Sequence, residues 1–205
     1  MPVTIDELVI ADEPSAWQAA GFTVEDGICR IGTVRVRLVG SGPVRGIVSW
    51  SLREVAPDVS VDGIPTTSSD RPPSEPAQHP LGVTHIDHVV LSTPDLVRTE
   101  AAFDAIGVKA RRHRDTQLAG APLRQVFFRM GEVIIEVIGS PDASGEGPAS
   151  FWGLTHAVVD LDAAAALLGA HAGRVKDAVQ PGRRITTLRH RDLGISVPTA
   201  LISST

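Results

Sequence analysis

The sequence predicts an α+β fold built from tandem βαβββ modules. Two observations support this class: short β-patterned segments outnumber the helical ones, and separate parts of the chain resemble each other. The stretch 32–41 (GTVRVRLVGS) aligns without a gap with the stretch 131–140 (GEVIIEVIGS). Similarity of this kind indicates repeated supersecondary units that bury their faces on one another.

A second repeat relates residues 5–10 (IDELVI) to residues 86–91 (IDHVVL), and Gly46 is placed opposite Gly153 in a shorter match. These matches predict three regions along the chain: an eroded N-terminal part at 1–63, with a module at 3–40 and a fragment at 46–63; a Pro/Ser-rich linker at 64–81; and two paired βαβββ modules at 82–205, one at 84–140 and one at 151–203.

The pattern of apolar residues predicts the elements in order. In the first half, strands are expected at 4–11, 32–39 and 46–55, with a short helix at 15–20. In the second half, strands are expected at 85–92, 109–114, 125–130, 131–139, 151–159, 185–189 and 195–202.

Two helices are expected in the second half, and their caps are readable. The helix at 94–106 begins with Pro94 after Thr93 as N-cap, and Gly107 ends it. The helix at 161–168 has Asp160 as N-cap and ends at Gly169.

Composition narrows the function classes. The formal net charge of −5 argues against nucleic acid or an anionic membrane as the main partner. The single cysteine, Cys29, excludes a disulfide within the chain and a cysteine zinc cluster. No apolar run reaches the roughly 20 residues of a membrane span, so a cytoplasmic protein is expected.

Two residues carry a family resemblance. His88 lies in the first strand of the module at 84–140, and Glu136 lies in an apolar run in its last strand. This arrangement resembles the vicinal oxygen chelate superfamily, which includes glyoxalases, extradiol dioxygenases and bleomycin-resistance proteins. The resemblance implies a curved eight-stranded mixed sheet around a ligand cup, a homodimer, and a divalent metal (Zn, Mn, Fe or Ni) held by His88 and Glu136.

The other metal positions of the family are not filled by suitable residues. The second module offers Gly153 at the first-strand position and Pro198 or Thr199 at the last-strand position. His156 is expected to face away from the cup because strand side chains alternate. In the N-terminal copy, Glu7 and Arg37 replace His88 and Glu136, and an arginine does not ligate a metal.

Several interpretations of His88 and Glu136 therefore stay open. They could hold a metal, form a metal-free catalytic pair, or form a hydrogen-bonded pair with no catalytic role. Pairing of the module at 84–140 with its copy in a second chain would double the ligands and predict about one metal per dimer.

Substrate-binding residues are expected near the cup. Gln180, Arg183 and Arg184 precede a strand, and an arginine such as Arg184 could orient an anionic group. Phe128 is a candidate for the wall of the cup. The basic cluster at 111–114 (RRHR) is interpreted first as a solvated strand edge and second as a phosphate or carboxylate site.

Two functions remain. The first is a glyoxalase-like lyase, isomerase or dioxygenase that acts on a small oxygen-rich metabolite. The second is a metal-free protein that binds a small molecule without chemistry, as bleomycin-resistance proteins do.

Overall fold

A computed structural model describes residues 2–204. Within that range the chain forms two mixed β-sheets, one of five strands and one of eight. The predicted α+β class is confirmed. None of the helices in this range is long and apolar enough to cross a membrane.

The N-terminal sheet contains the five strands of the first half. They are β1 (Thr4–Ile10), β2 (Ile28–Ile31), β3 (Val34–Leu38), β4 (Ile47–Arg53) and β5 (Thr66–Ser69), with helix α1 (Pro14–Ala19) after β1. The strand order is β2-β3-β1-β4-β5. The segment predicted as a linker therefore contributes a strand, β5, which pairs in parallel with β4.

The C-terminal sheet contains two complete βαβββ modules. The first consists of β6 (Val83–Ser92), α2 (Leu96–Ala105), β7 (Arg112–Leu118), β8 (Ala121–Met130) and β9 (Val133–Gly139). The second consists of β10 (Ser150–Val158), α3 (Leu161–Leu168), β11 (Lys176–Asp177), β12 (Arg184–Thr187) and β13 (Thr199–Ser203). Their order, β11-β12-β13-β10-β6-β9-β8-β7, places the two first strands side by side at the centre.

The two modules pair within one chain. Strands β6 and β10 are antiparallel neighbours, and each is parallel to the last strand of its own module, β9 or β13. The central edge of the first module is therefore covered by the second module. The metal site shared between two chains loses its geometric basis, because that hypothesis needed this edge to pair with another chain.

The sequence repeat is confirmed by the strand registers. Glu7 on β1 is opposite Arg35 on β3, as His88 on β6 is opposite Ile134 on β9. The shorter match was wrong by three residues. Gly153 is opposite Val90, and the equivalent partner of Val9 is Ser49 rather than Gly46. A single matched glycine did not fix the register.

One helix cap also differs from the prediction. Helix α2 is capped by Asp95, whose side chain accepts a hydrogen bond from the backbone N–H of Arg98 at 2.9 Å. The Thr93 hydroxyl instead accepts from the backbone N–H of Asp95 at 3.0 Å. Asp160 caps α3 as predicted, and that helix ends at Gly169.

Both sheets share one hydrophobic core. Phe103 of α2 stacks on Phe128 of β8 at 4.3 Å between ring centroids, and its edge meets Trp50 of the N-terminal sheet. Trp17 of α1 contacts the ring of His156 on β10. These contacts hold the first half of the chain against the convex side of the C-terminal sheet and leave its concave side free for the site described next.

Candidate functional site

The concave side of the C-terminal sheet encloses a cavity of about 1040 Å³, which we call the cup. Its walls follow the alternation of strand side chains. On β8 and β9, Gln125, Phe127 and Glu136 line the cavity, whereas neighbours such as Val126 and Val137 are buried in the core. A curved sheet therefore presents one set of side chains to the core and the other to a ligand.

A β-bulge in β6 brings Asp87 and His88 together. His88 is opposite Thr155, but Ile86 is opposite the next residue, His156, so Asp87 has no partner in the ladder. A bulge lets two successive side chains point to the same side of a sheet. An Asp87 carboxylate oxygen lies in ion-pair contact with Nδ1 of His88, which lines the cup, and both residues are buried. The contact is close but does not have the geometry of a hydrogen bond, so it is a charge contact rather than a directed bond.

Arg183 holds the other side of this aspartate. Its guanidinium lies 2.8 Å from the second Asp87 carboxylate oxygen, and its Nε donates to the Ser203 carbonyl at 2.7 Å. Burial alone would raise the pKa of Asp87, but the contacts with His88 and Arg183 outweigh it and lower that pKa to about 2. Asp87 is therefore an ionised carboxylate behind the imidazole.

Glu136 is held by an amide on the next strand. Gln125 donates from Nε2 to Oε1 of Glu136 at 2.5 Å. The amide oxygen of Gln125, Oε1, is buried and has no hydrogen-bond partner among residues 2–204. A buried acceptor without a partner is costly to the stability of the fold.

The donor set does not fit a divalent metal held by the chain. No group of three His, Cys, Asp or Glu side chains in the described part of the chain is placed to hold one. The residue opposite His88 in the cup is Thr155 rather than Gly153, and a Cβ at Gly153 would lie 2.7 Å from the Pro198 carbonyl oxygen. A protein-held catalytic site normally uses three side chains. We derive no step through a metal, and the predicted metal at His88 and Glu136 stays a prediction.

His156 faces away from the cup, as the alternation predicted. Its ring is fully buried between Trp17 and Phe22, on the convex side of the sheet. Burial, followed by the nearby His79 and His85, lowers the pKa of His156 to about 3. The ring is therefore neutral at ordinary pH and takes no part in the site.

The four residues proposed for substrate binding have different places. Gln180 lines the cup. Phe128 belongs to its wall, but the ring is buried against Phe103. Arg184 is paired with Asp162 of α3 at 2.7 Å and is not among the cup-lining residues, so its role in substrate binding stays a prediction. Arg183 acts on Asp87 rather than on the cavity itself.

The basic cluster at 111–114 lies both at a sheet edge and beside the cup. Strand β7 is an edge strand, and Arg111, Arg112 and His113 are exposed, as the solvated-edge interpretation expects. Because Arg111, Arg112 and Arg114 also line the cup, the second interpretation, a phosphate or carboxylate site, stays open. Asp87 was missed, although the repeated Ile-Asp dipeptide at 5–6 and 86–87 was the signal that could have identified it.

Comparison with solved structures shows the same fold over the whole chain. A mutant of 4-hydroxymandelate synthase from Streptomyces coelicolor matches 100% of this chain and 93% of its own, with a TM-score of 0.67 and 13% identity. An extradiol ring-cleaving dioxygenase from B. fuscum matches 100% of this chain and 72% of its own, with a TM-score of 0.62 and 13% identity. Homoprotocatechuate 2,3-dioxygenase from Arthrobacter globiformis matches 100% of this chain and 80% of its own, with a TM-score of 0.60 and 11% identity.

No protein-family model and no curated protein sequence matches the chain. Identities of this size carry the fold and leave the reaction open. The central pairing of two βαβββ modules and the matches over the whole chain agree with the resemblance found in the sequence. The chain has the fold of the vicinal oxygen chelate superfamily.

Proposed function

We propose that the chain is an enzyme that moves a proton on a small, oxygen-rich, anionic metabolite bound in the cup. The observation that carries this proposal is the contact of Asp87 with Nδ1 of His88, fixed from behind by Arg183. A carboxylate on one ring nitrogen of a histidine orients the imidazole and stabilises its protonated form. The reaction class is lyase or isomerase chemistry that begins with proton abstraction beside a carbonyl.

His88 is the general base in this proposal. Because Asp87 engages Nδ1, Nε2 is the nitrogen that accepts the proton from the substrate carbon and returns it. The positive charge that forms on the imidazole is balanced by Asp87. The negative charge that forms on the substrate oxygen is balanced by Arg129, a cation that lines the cup and lies outside the basic cluster at 111–114.

Glu136 and Gln125 are the binding pair in this proposal. Glu136 lines the cup and its Oε1 accepts from Gln125, so its second carboxylate oxygen is the acceptor for a substrate hydroxyl. An acceptor of this kind distinguishes a hydroxylated substrate from an analogue that lacks the hydroxyl group. Residence in the cytoplasm and a homodimer remain part of the proposal, since neither follows from the fold.

Proton exchange with solvent provides a test. The protein is incubated in D₂O with a panel of small 2-oxo and 2-hydroxy acids and their phosphate esters, and loss of the C–H signal is followed by NMR. At least one compound should exchange, and His88→Ala should slow the exchange roughly 100-fold or more, since general acid–base catalysis contributes 10²–10⁴-fold.

His113→Ala is the matched control, because His113 is paired with Glu100 and is not among the cup-lining residues. Exchange that persists in His88→Ala would refute the proposed base. Tight binding of a compound that never exchanges would instead support the second function, a small-molecule-binding protein without chemistry. Near-ultraviolet circular dichroism of each variant checks that the fold is intact.

A further inference from the structure

We infer that the cup takes a ligand with two or more negative charges, which is clamped at the mouth between arginines of β7 and Lys176 of β11. This inference deepens the proposed function and rests on it for the position of the reacting carbon. The clamp itself depends only on the cations at the two edges of the sheet. It assigns a role to the basic cluster that the proton transfer leaves unused.

The two edges of the C-terminal sheet meet across the cup. Strand β7 is the last strand at one edge of the eight-stranded sheet and β11 is the last strand at the other. Arg112 and Arg114 of β7 nevertheless line the same cavity as Lys176 of β11. The sheet is therefore curved enough to place cations from both edges around one opening.

The charges around this opening are unbalanced. Five cationic residues line the cup, and two carboxylates do. The cations are Arg111, Arg112, Arg114, Arg129 and Lys176, and the carboxylates are Glu136 and Asp177. Glu136 already accepts the hydrogen bond from Gln125. Like charges in a concave site raise the local positive potential and concentrate anions there.

The cluster is also unpaired. Within residues 2–204, none of Arg111, Arg112, Arg114 and Lys176 makes an ion pair with a carboxylate. Arg124, on the neighbouring strand β8, differs because it is held by Asp115 at 2.6 Å. Free guanidinium groups in a cavity favour a bidentate carboxylate or phosphate ligand.

Strand geometry sets the class of ligand. Arg112 and Arg114 are two residues apart, so their side chains leave the same side of β7 and their Cα atoms lie roughly 7 Å apart. Two anionic groups on one small molecule match that spacing, as in a diphosphate or a short dicarboxylate. A ligand with one charge satisfies one arginine and leaves the other unpaired.

Calorimetric binding at constant ionic strength tests the clamp, with inorganic pyrophosphate, malonate and acetate as probes. Pyrophosphate or malonate should bind saturably with one site per chain, and acetate should bind at least tenfold more weakly. The double variant Arg112→Gln/Arg114→Gln should weaken the better probe by tenfold or more, and Lys176→Gln should weaken it several-fold. The better probe tells whether the natural groups are phosphates or carboxylates.

Arg124→Gln is the control, since it removes one positive charge from the same hairpin outside the cup and should leave binding unchanged. Failure of both dianions to bind saturably would overturn the inference, as would equal weakening by Arg124→Gln and by the cluster variants. Because the measurement needs no turnover, it stands apart from the exchange assay. Failure of the proton-transfer proposal and failure of the clamp are therefore distinguishable.

Discussion

The two sheets have the same strand arrangement, but the concave side is open in one sheet and filled by protein in the other. Each has a first strand flanked by a parallel and an antiparallel neighbour, and each has an irregularity in that strand next to an aspartate. Asp6 precedes Glu7 at the irregularity in β1, as Asp87 precedes His88 in β6. In the C-terminal sheet this side is an open cup, whereas in the N-terminal sheet it is filled by protein.

Arginines fill the N-terminal side. Asp6 is fully buried and is contacted by Arg35, Arg53 and Arg71. These ion pairs, with side-chain hydrogen bonds from residues such as Arg71, outweigh the effect of burial and lower the pKa of Asp6. Glu7, at the position of His88, is held by Arg37 at 2.9 Å and also contacts Arg71.

The segment predicted as a linker, 64–81, also covers this side of the N-terminal sheet. After β5 the chain turns back over the sheet, where the Pro72 carbonyl accepts hydrogen bonds from Arg35 and Arg53. Further along, the backbone N–H of Ser74 donates to the Thr33 carbonyl at 3.1 Å. The segment is thus hydrogen-bonded to the N-terminal sheet. It covers the side that corresponds to the cup.

This difference shows that the shared backbone does not decide which side binds a ligand. The same bulge places an aspartate behind the first-strand position in both sheets. Where that position is Glu7, arginines close the site, and where it is His88, one arginine supports the aspartate and the imidazole stays in the cavity. The comparison predicts a structural role for Asp6 and a combined structural and functional role for Asp87.

The largest effect on stability is expected for Asp6→Asn. The substitution leaves the buried guanidinium of Arg53 without its carboxylate partner, and breaking a buried ion pair costs about 3–5 kcal/mol. Urea unfolding at pH 7 measures the loss in the free energy of unfolding. Asp115→Asn, which breaks the exposed pair with Arg124, should cost far less than Asp6→Asn, because solvent screens that pair. Similar losses of stability in the two variants would show that the ion pairs of Asp6 with its arginines have no special structural role.

A smaller and pH-dependent effect is expected for Asp87→Asn. The pKa of Asp87 falls from 3.8 to about 2 in the folded state, which contributes about 2 kcal/mol of stability at neutral pH. A lowered carboxylate pKa stabilises the fold above the unfolded value and loses that contribution as the pH falls through the folded value. The wild type and the variant should therefore converge in stability as the pH drops from 3.8 towards 2.

Urea unfolding at a series of pH values tests this convergence. In the exchange assay the same variant should also be slower than the wild type, because His88 loses the charge that supports its protonated form. A stability difference that stays constant with pH would show that Asp87 acts through packing alone. Full exchange activity in Asp87→Asn would show that Asp87 has no role in the proton transfer and that its role, like that of Asp6, is structural.

Much of the fold could be predicted from the sequence, because it depends on local patterns. The ungapped repeat, the alternating strands and the caps at Asp160 and Gly169 all act over short distances. The linker was different. Its prolines and serines carry no periodic pattern, so β5 and the bonds to Arg35 become visible only when distant strands meet.

The site was less predictable for the same reason. His88 and Glu136 could be identified by resemblance, and the structure places both in the cup. The contact between Asp87 and His88 depends on a bulge, which is a mismatch between two strands, and its one trace in the sequence is the repeated Ile-Asp dipeptide. The choice between Arg184 and Arg112 as ligand-binding residues depends on the curvature of the sheet. Neither property is encoded in residue spacing.

The smallest effect is expected where the two halves meet, at His156. Neither ring nitrogen has a hydrogen-bond partner in the part of the chain that the structure describes, so His156→Leu removes a buried polar penalty along with ring contacts to Trp17 and Phe22. The net change at pH 7 should be within about 1 kcal/mol. Because the pKa of His156 falls from 6.5 to about 3, the wild type should lose stability as the pH drops below 6.5, and the variant should lose less. Urea unfolding at pH 7 and pH 5 measures both, with the exposed His113→Leu as control. A loss above about 2 kcal/mol at pH 7 would show that the ring contacts with Trp17 and Phe22 outweigh the polar penalty.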